Sequence, residues 1–217
     1  TAGELCSGSE ETIYRALAMR HMELPVGSFI QDALSEIPAL SADLLRSNVK
    51  DEENHDLALG YIANALGVDE TAEAEAKRLR DAWEAHPDHT VLKALVAERA
   101  IFFVLLPFFR FNGDAGLRTV SADISRDEQV HVAANSLVCK ELGLEISPSL
   151  DKLRKATINW VMTPLKASTN KYLDKKFWLD ASDRLMYEGK APELSDTKRA
   201  RMPAFFEHAN PNLPQYA

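Results

Sequence analysis

Cysteine, glycine and proline are all scarce: the 217 residues contain 2, 9 and 10 of them. Cys6 and Cys139 form neither a disulfide framework nor a metal-ligand spacing, which points to a reducing compartment where free thiols persist. With few turn-formers and hardly any alternating apolar segment, the pattern favours helices over strands. A basic excess is also missing. The net charge is −8, whereas nucleic-acid binding calls for a basic face. The most apolar run, residues 91–109, carries Lys93, Glu98 and Arg99, and a membrane span rarely tolerates charges in its middle. Thr1 to Ser9 is polar and small, unlike a secretory leader. The expectation is a cytoplasmic protein in contact with neither nucleic acid nor membrane.

Helical periodicity is what the chain does have. It predicts helices over residues 10–23, 41–66, 70–85, 90–110, 116–142, 148–173 and 174–187. Ser9 is placed to cap the first of them, and Gly67, Asn112-Gly113 and Gly143 to end others. Pro107 falls inside an apolar helical pattern and should kink or shorten that helix. The fold class is therefore all-α, with residues 1–200 as the helical body. Residues 201–217 differ, carrying Pro203, Pro211 and Pro214 beside Phe205, Phe206 and Tyr216. Such a tail either wraps on the body or docks on a partner. Charge is uneven: residues 1–150 hold 13 Lys and Arg against 25 Asp and Glu, while residues 151–201 hold 12 against 7. Solvated helix faces account for most such asymmetry; a basic docking face is the alternative.

One pattern occurs twice: Asp51-Glu52-x-x-His55 and Asp127-Glu128-x-x-His131. Residues i and i+3 of a helix share a face, with Cβ atoms roughly 5–6 Å apart. Each stretch thus points one carboxylate and one imidazole the same way, as two ligands for one metal. Single carboxylates stand upstream at matching distances, Glu23 at 29 residues before Glu52 and Glu98 at 30 before Glu128. The chain therefore reads as two halves, each a helix with one Glu followed by a helix with Glu-x-x-His.

Glu98 sits in Leu95-Val96-Ala97-Glu98-Arg99-Ala100-Ile101-Phe102, apolar nearly all round. A lone ionised carboxylate there is costly to bury and needs a partner. Arg99 is one candidate, although it points about 100° away along the helix; metal is the other. Glu10, Glu11 and His21 compete with Glu23 for the first-helix position. Asp51 and Asp127 are either exposed helix charges or acceptors for the N–H of a ligating His, that of the opposite helix included. His86 and His89 are expected to be solvated in an interhelical loop, and His208 lies in the tail. Four Glu and two His converging in a bundle is the ligand set of ferritin-like dimetal carboxylate proteins. Four carboxylates balance two divalent cations, and these donors suit Fe and Mn alike.

The stretches around Glu98-Arg99-Ala100-Ile101-Phe102-Phe103, Arg126-Asp127-Glu128-x-x-His131 and Ser35-Glu36-Ile37-Pro38-Ala39-Leu40 before Glu52-x-x-His55 resemble the class I ribonucleotide reductase small subunit. The similarity covers roughly residues 14–140 in order. It implies a ferritin-like four-helix bundle with additional C-terminal helices, assembled as a homodimer. It implies two metal ions per chain, Fe and/or Mn, held by Glu23, Glu52, His55, Glu98, Glu128 and His131. The oxidising equivalent made there would pass to a separate catalytic large subunit that reduces ribonucleotides. Asp127 would hydrogen-bond a ligand His on the transfer route, Phe102 would line the apolar pocket around the oxidant, and Tyr216 or Tyr187 would serve as relay near a tail that binds the large subunit.

Two departures stand out. The position of the radical tyrosine, four residues after the first ligand His, is Leu59, so the chain resembles members that keep the oxidising equivalent elsewhere; Tyr61 lies about 200° round the helix from that position. Trp83, Trp160 and Trp178 all follow the first Glu-x-x-His, so none matches the N-terminal tryptophan of longer members. A stand-alone di-iron oxygenase or oxidase acting on a small apolar substrate uses the same ligand logic, and the doubled Asp-Glu-x-x-His is at least as familiar there. A ferritin-like store ranks behind both.

Overall fold

The computed structural model describes residues 4–194, with Ala39 and Leu40 described by their backbone alone. The chain is all-α, as expected. Among the described residues the β-type pairing is confined to an isolated bridge between Lys166 and Asp174. No helix among them is long and apolar enough to cross a membrane. The boundary expected near residue 200, and the tail with Tyr216 and His208, lie outside the described residues.

The first helix extends further than its sequence pattern suggests. Helix α1 (Glu10–Ala18) passes through a 3₁₀ turn (Met19–Met22) into α2 (Glu23–Ala33). Glu23 therefore opens a helix rather than ending one. Pro25 sits in the first turn of α2, where a missing N–H breaks no helical hydrogen bond. Ser9 holds the N-cap position but does not cap: its hydroxyl donates to the Cys6 carbonyl at 2.6 Å.

Helix α3 (Ala39–Leu66) ends at Gly67, whose φ of 91° is the conformation that favours glycine. Helix α4 (Glu70–Glu84) is capped by Asp69, which accepts from Thr71 N and Ala72 N. The single apolar helix expected over 90–110 is three pieces: α5 (Thr90–Ala97), a π-helical turn (Glu98–Phe102) and α6 (Phe103–Asn112). The irregularity expected of Pro107 thus lies upstream of it, and the proline itself sits within α6. Helix α7 (Ala115–Glu141) starts on an Asp114 cap and ends with Leu144 N donating to Cys139 O at 2.9 Å across Gly143 at φ 63°. Helix α8 (Pro148–Met162) stops far short of the predicted residue 173. Pro164 explains this, because a proline has no N–H to carry the helical hydrogen-bond ladder onward; Thr163 before it still has helical dihedrals, φ −60° and ψ −33°. Helix α9 (Lys175–Glu188) follows.

Four of these segments close a ring: α2 packs on α3 and α5, α3 on α7, and α7 on α5 and α6. Apolar side chains fill it, among them Ile13, Leu17, Met22 and Ile30 from the first rod, Leu45 and Leu59 from α3, and Val96 and Phe108 from the third. Each such burial contributes roughly 1.5–3 kcal/mol. Helices α8 and α9 pack on the π turn, α9 also on α6. There Trp178 meets Phe108 and Phe177 edge-on, and Trp83 Nε1 donates to Thr157 Oγ1 at 3.0 Å.

The α6–α7 corner needs glycine for room, not for dihedral freedom. Gly113 has φ −78°, yet a Cβ there would lie 2.5 Å from Phe109 O and 2.6 Å from Leu117 Cβ. Gly113→Ala should therefore destabilise the protein by about 1–3 kcal/mol. The check is urea unfolding, with a lower midpoint at unchanged slope. A midpoint equal to that of the parent would mean the corner relaxes freely.

Candidate metal centre

Six side chains from the four ring segments meet in the interior. Helix α3 brings Glu52 and His55 and α7 brings Glu128 and His131, each pair three residues apart on one face. The single carboxylates come from places where the backbone hydrogen-bond pattern changes. Glu23 is the first residue after the 3₁₀ turn, and Glu98 is the first residue of the π turn. Such changes of winding re-aim a side chain without ending the helix, and π turns in particular are frequent at functional sites.

The donor atoms fall into two groups: Glu23, Glu52, His55 and Glu128; and Glu52, Glu98, Glu128 and His131, with the atoms of each group within 4.8 Å of one another. Glu52 and Glu128 belong to both. None of the six is more than 3% exposed. Each imidazole turns Nδ1 inward. His55 Nδ1 lies 3.4 Å from Glu128, 3.7 Å from Glu52 and 3.9 Å from Glu23. His131 Nδ1 lies 3.0 Å from Glu52, 3.8 Å from Glu128 and 3.9 Å from Glu98.

The outward nitrogens are clasped crosswise. His55 Nε2 on α3 is 3.2 Å from Asp127 Oδ2 on α7, and His131 Nε2 on α7 is 3.1 Å from Asp51 Oδ2 on α3. Each aspartate thus serves the histidine of the opposite helix. A proton on Nε2 leaves the Nδ1 lone pair facing the carboxylates, as a metal ligand requires.

The inner polar atoms could hold a cation. Both oxygens of Glu23, Glu52 and Glu128, Glu98 Oε1 and both Nδ1 atoms are buried without a hydrogen bond. A buried polar group in that state costs about 1–3 kcal/mol. In the chain alone, burial pushes the carboxyl pKa of Glu23, Glu98 and Glu128 upward, reinforced by the neighbouring carboxylates. Burial opposes the charge of Glu52 as well, but the His131 and His55 imidazoles hold it below the usual range. Both histidines are pushed up against the effect of burial, His55 by Glu128 and Glu52, and His131 by Glu52 and Glu128. A cluster that must hold protons to limit its own charge is one that a metal ion could occupy.

Alternatives to this set fall away. Arg99 leaves Glu98 for α9, donating to Leu185 O at 2.8 Å, so the Glu98–Arg99 pair does not form. Glu98 Oε2 instead accepts from Asn135 Nδ2 at 2.7 Å. His21 and Arg20 pair with Glu73, Glu11 pairs with Arg15, and Glu10 accepts from Gly8 N, so all three competitors of Glu23 are engaged elsewhere. His89 is no idle loop residue: it caps α5 and lies 3.1 Å from Glu36. His86, expected to be solvated, has a side chain only 9% exposed. Tyr61 is exposed, as the helix rotation requires, and Tyr187 is an exposed residue whose hydroxyl donates to Asp151. Phe102 is buried at the end of the π turn, and Leu59 is buried on α3.

Two asparagines beside the site are not singled out by any motif in the sequence. Asn135 lies one turn beyond His131, and the fully buried Asn48 one turn before Glu52. The available signal is that both continue a ligand stripe at four-residue spacing where apolar residues belong. The π turn itself is braced by α9, since Ser182 Oγ donates to Ala100 O at 2.6 Å. No protein-family model, curated protein or solved structure matches this chain.

Proposed function

We propose that the chain is the small subunit of a ribonucleotide reductase: a dimetal-carboxylate protein whose oxidising equivalent serves a separate catalytic subunit. What carries the reading is the pair of four-donor groups sharing Glu52 and Glu128, buried in the interior and clasped crosswise by Asp51 and Asp127. Two Fe or Mn ions suit oxygen-rich donors with one imidazole each; Glu23 and His55 would help hold one and Glu98 and His131 the other, with Glu52 and Glu128 available to both. When bound, such a pair supplies one-electron oxidation after reacting with an oxidant. The protein's part is to hold six donors in place, keep water out, and fix each imidazole through its far nitrogen. Asp127, with a side chain 49% exposed, joins the inner imidazole of His55 to the surface and is the residue through which charge would leave. In this reading the chain pairs with a second copy, and the tail beyond residue 201 docks on the large subunit.

The test is truncation. Removing residues 210–217 should leave metal stoichiometry unchanged, by elemental analysis and EPR, and abolish nucleotide reduction with the large subunit. Undiminished reduction by the truncated protein overturns the docking role.

A stand-alone oxygenase or oxidase is the second reading, favoured by the doubled Asp-Glu-x-x-His and by an apolar Leu59 where a redox tyrosine would stand. It requires turnover of a small apolar substrate without a second polypeptide, and that assay separates the two.

A further inference from the structure

A cleft of about 240 Å³ opens between α2 and α3. Oxygen donors line its mouth: Ser28, Gln31 and Asp32 from α2 and Glu53 from α3, all exposed. Glu53 forms an exposed ion pair with Lys50 at 2.6 Å, a partner that exchanges readily with a competing cation. The inner wall is Glu52, which also belongs to both donor groups. Its side chain is fully buried and its carboxylate oxygens make no hydrogen bond. Gly27 lets α2 pack closely on that wall. A Cβ at Gly27 would lie 3.3 Å from Glu52 Cβ and 3.5 Å from Cγ, so the α2 backbone rests directly on the glutamate stem. Glu52 thus lines the cleft and also belongs to both donor groups.

We propose that this cleft is the loading port for the centre. A hydrated divalent cation is collected by Asp32 and Glu53, sheds water, and is handed to Glu52. The inference rests on the dimetal reading above. Carboxylate, amide and hydroxyl oxygens suit a hard aquo-cation better than an apolar substrate or dioxygen.

The probe is Mn(II) alone, added to the metal-free full-length chain, with uptake followed as loss of the free aquo-ion EPR signal. The double variant Asp32→Asn/Glu53→Gln should load about tenfold more slowly at low salt, as loss of local steering charge implies, and reach the same final occupancy. Gly27→Ala, which presses a methyl group on Glu52, should also load slowly. Glu141→Gln, an exposed acid on α7, should load at the parental rate. Parental rates in the double variant, or equal slowing by Glu141→Gln, overturn the port while leaving the dimetal reading intact. A parent chain that binds no Mn(II) overturns both.

Discussion

Glu128→Ala should empty both cation positions together. Glu128 is one of two carboxylates common to the two donor groups, and its oxygens lie 3.4 Å from His55 Nδ1 and 3.8 Å from His131 Nδ1. Truncating it therefore removes a donor from each group and leaves two imidazoles facing an empty space. Metal content after Fe(II) or Mn(II) loading and desalting should fall from about two ions per chain to nearly none. His131→Ala removes a donor from one group and should also lower occupancy strongly. Asp127→Ala removes no inner donor. It frees the His55 ring and should weaken binding by about 10–100-fold, so that the variant still fills at saturating metal. Circular dichroism of the metal-free variants separates lost donors from lost fold. Equal occupancy in all three variants would show that the inner set has been misassigned.

Glu23→Leu should do the reverse to stability, making the metal-free protein tougher while costing it metal. Glu23 is 1% exposed and both its oxygens lack hydrogen bonds; its nearest ion-pair partner is His55 Nδ1 at 3.9 Å. A leucine of similar bulk removes that unsatisfied carboxyl and adds apolar surface to the ring interior. The expected gain is about 1–3 kcal/mol, read as a higher urea midpoint of the metal-free form. Saturating metal should reverse the ranking, because only the parent then gains the free energy of a filled site. A metal-free variant weaker than its parent would mean Glu23 has a stabilising partner in solution. Centres of this kind trade folding stability for binding, and Glu23 is where the trade is most easily measured.

Much of the site is legible in the chain because helices convert spacing into direction. Glu52 with His55 and Glu128 with His131 follow from a three-residue interval alone, and Glu98 follows from a charge stranded in an apolar run. Glu23 is legible only through the matching interval to Glu52, since Pro25 makes its surroundings look like a helix end. The backbone turns that aim Glu23 and Glu98 are not legible. Whether a helix tightens to 3₁₀ or widens to π depends on what packs against it, as Ser182 and Arg99 do between α9 and the π turn. The Asn135–Glu98 bond escapes for a related reason, joining residues 37 apart on different helices. The stop of α8 was readable at Pro164, but Leu165 carries the apolar pattern past it. The role of Tyr216 lies beyond the described residues.

The donor groups do not respect the two halves in which the chain is written. Glu23, Glu52 and His55 come from the first half, yet their group closes only with Glu128 from the second; Glu98, Glu128 and His131 likewise need Glu52. The two clasps cross the same divide. A half-length chain with one lone carboxylate and one acid–imidazole couple would be a donor short, and could complete either group only by embracing a twin. Joining two such units end to end would convert an association governed by concentration into one that is permanent at any dilution.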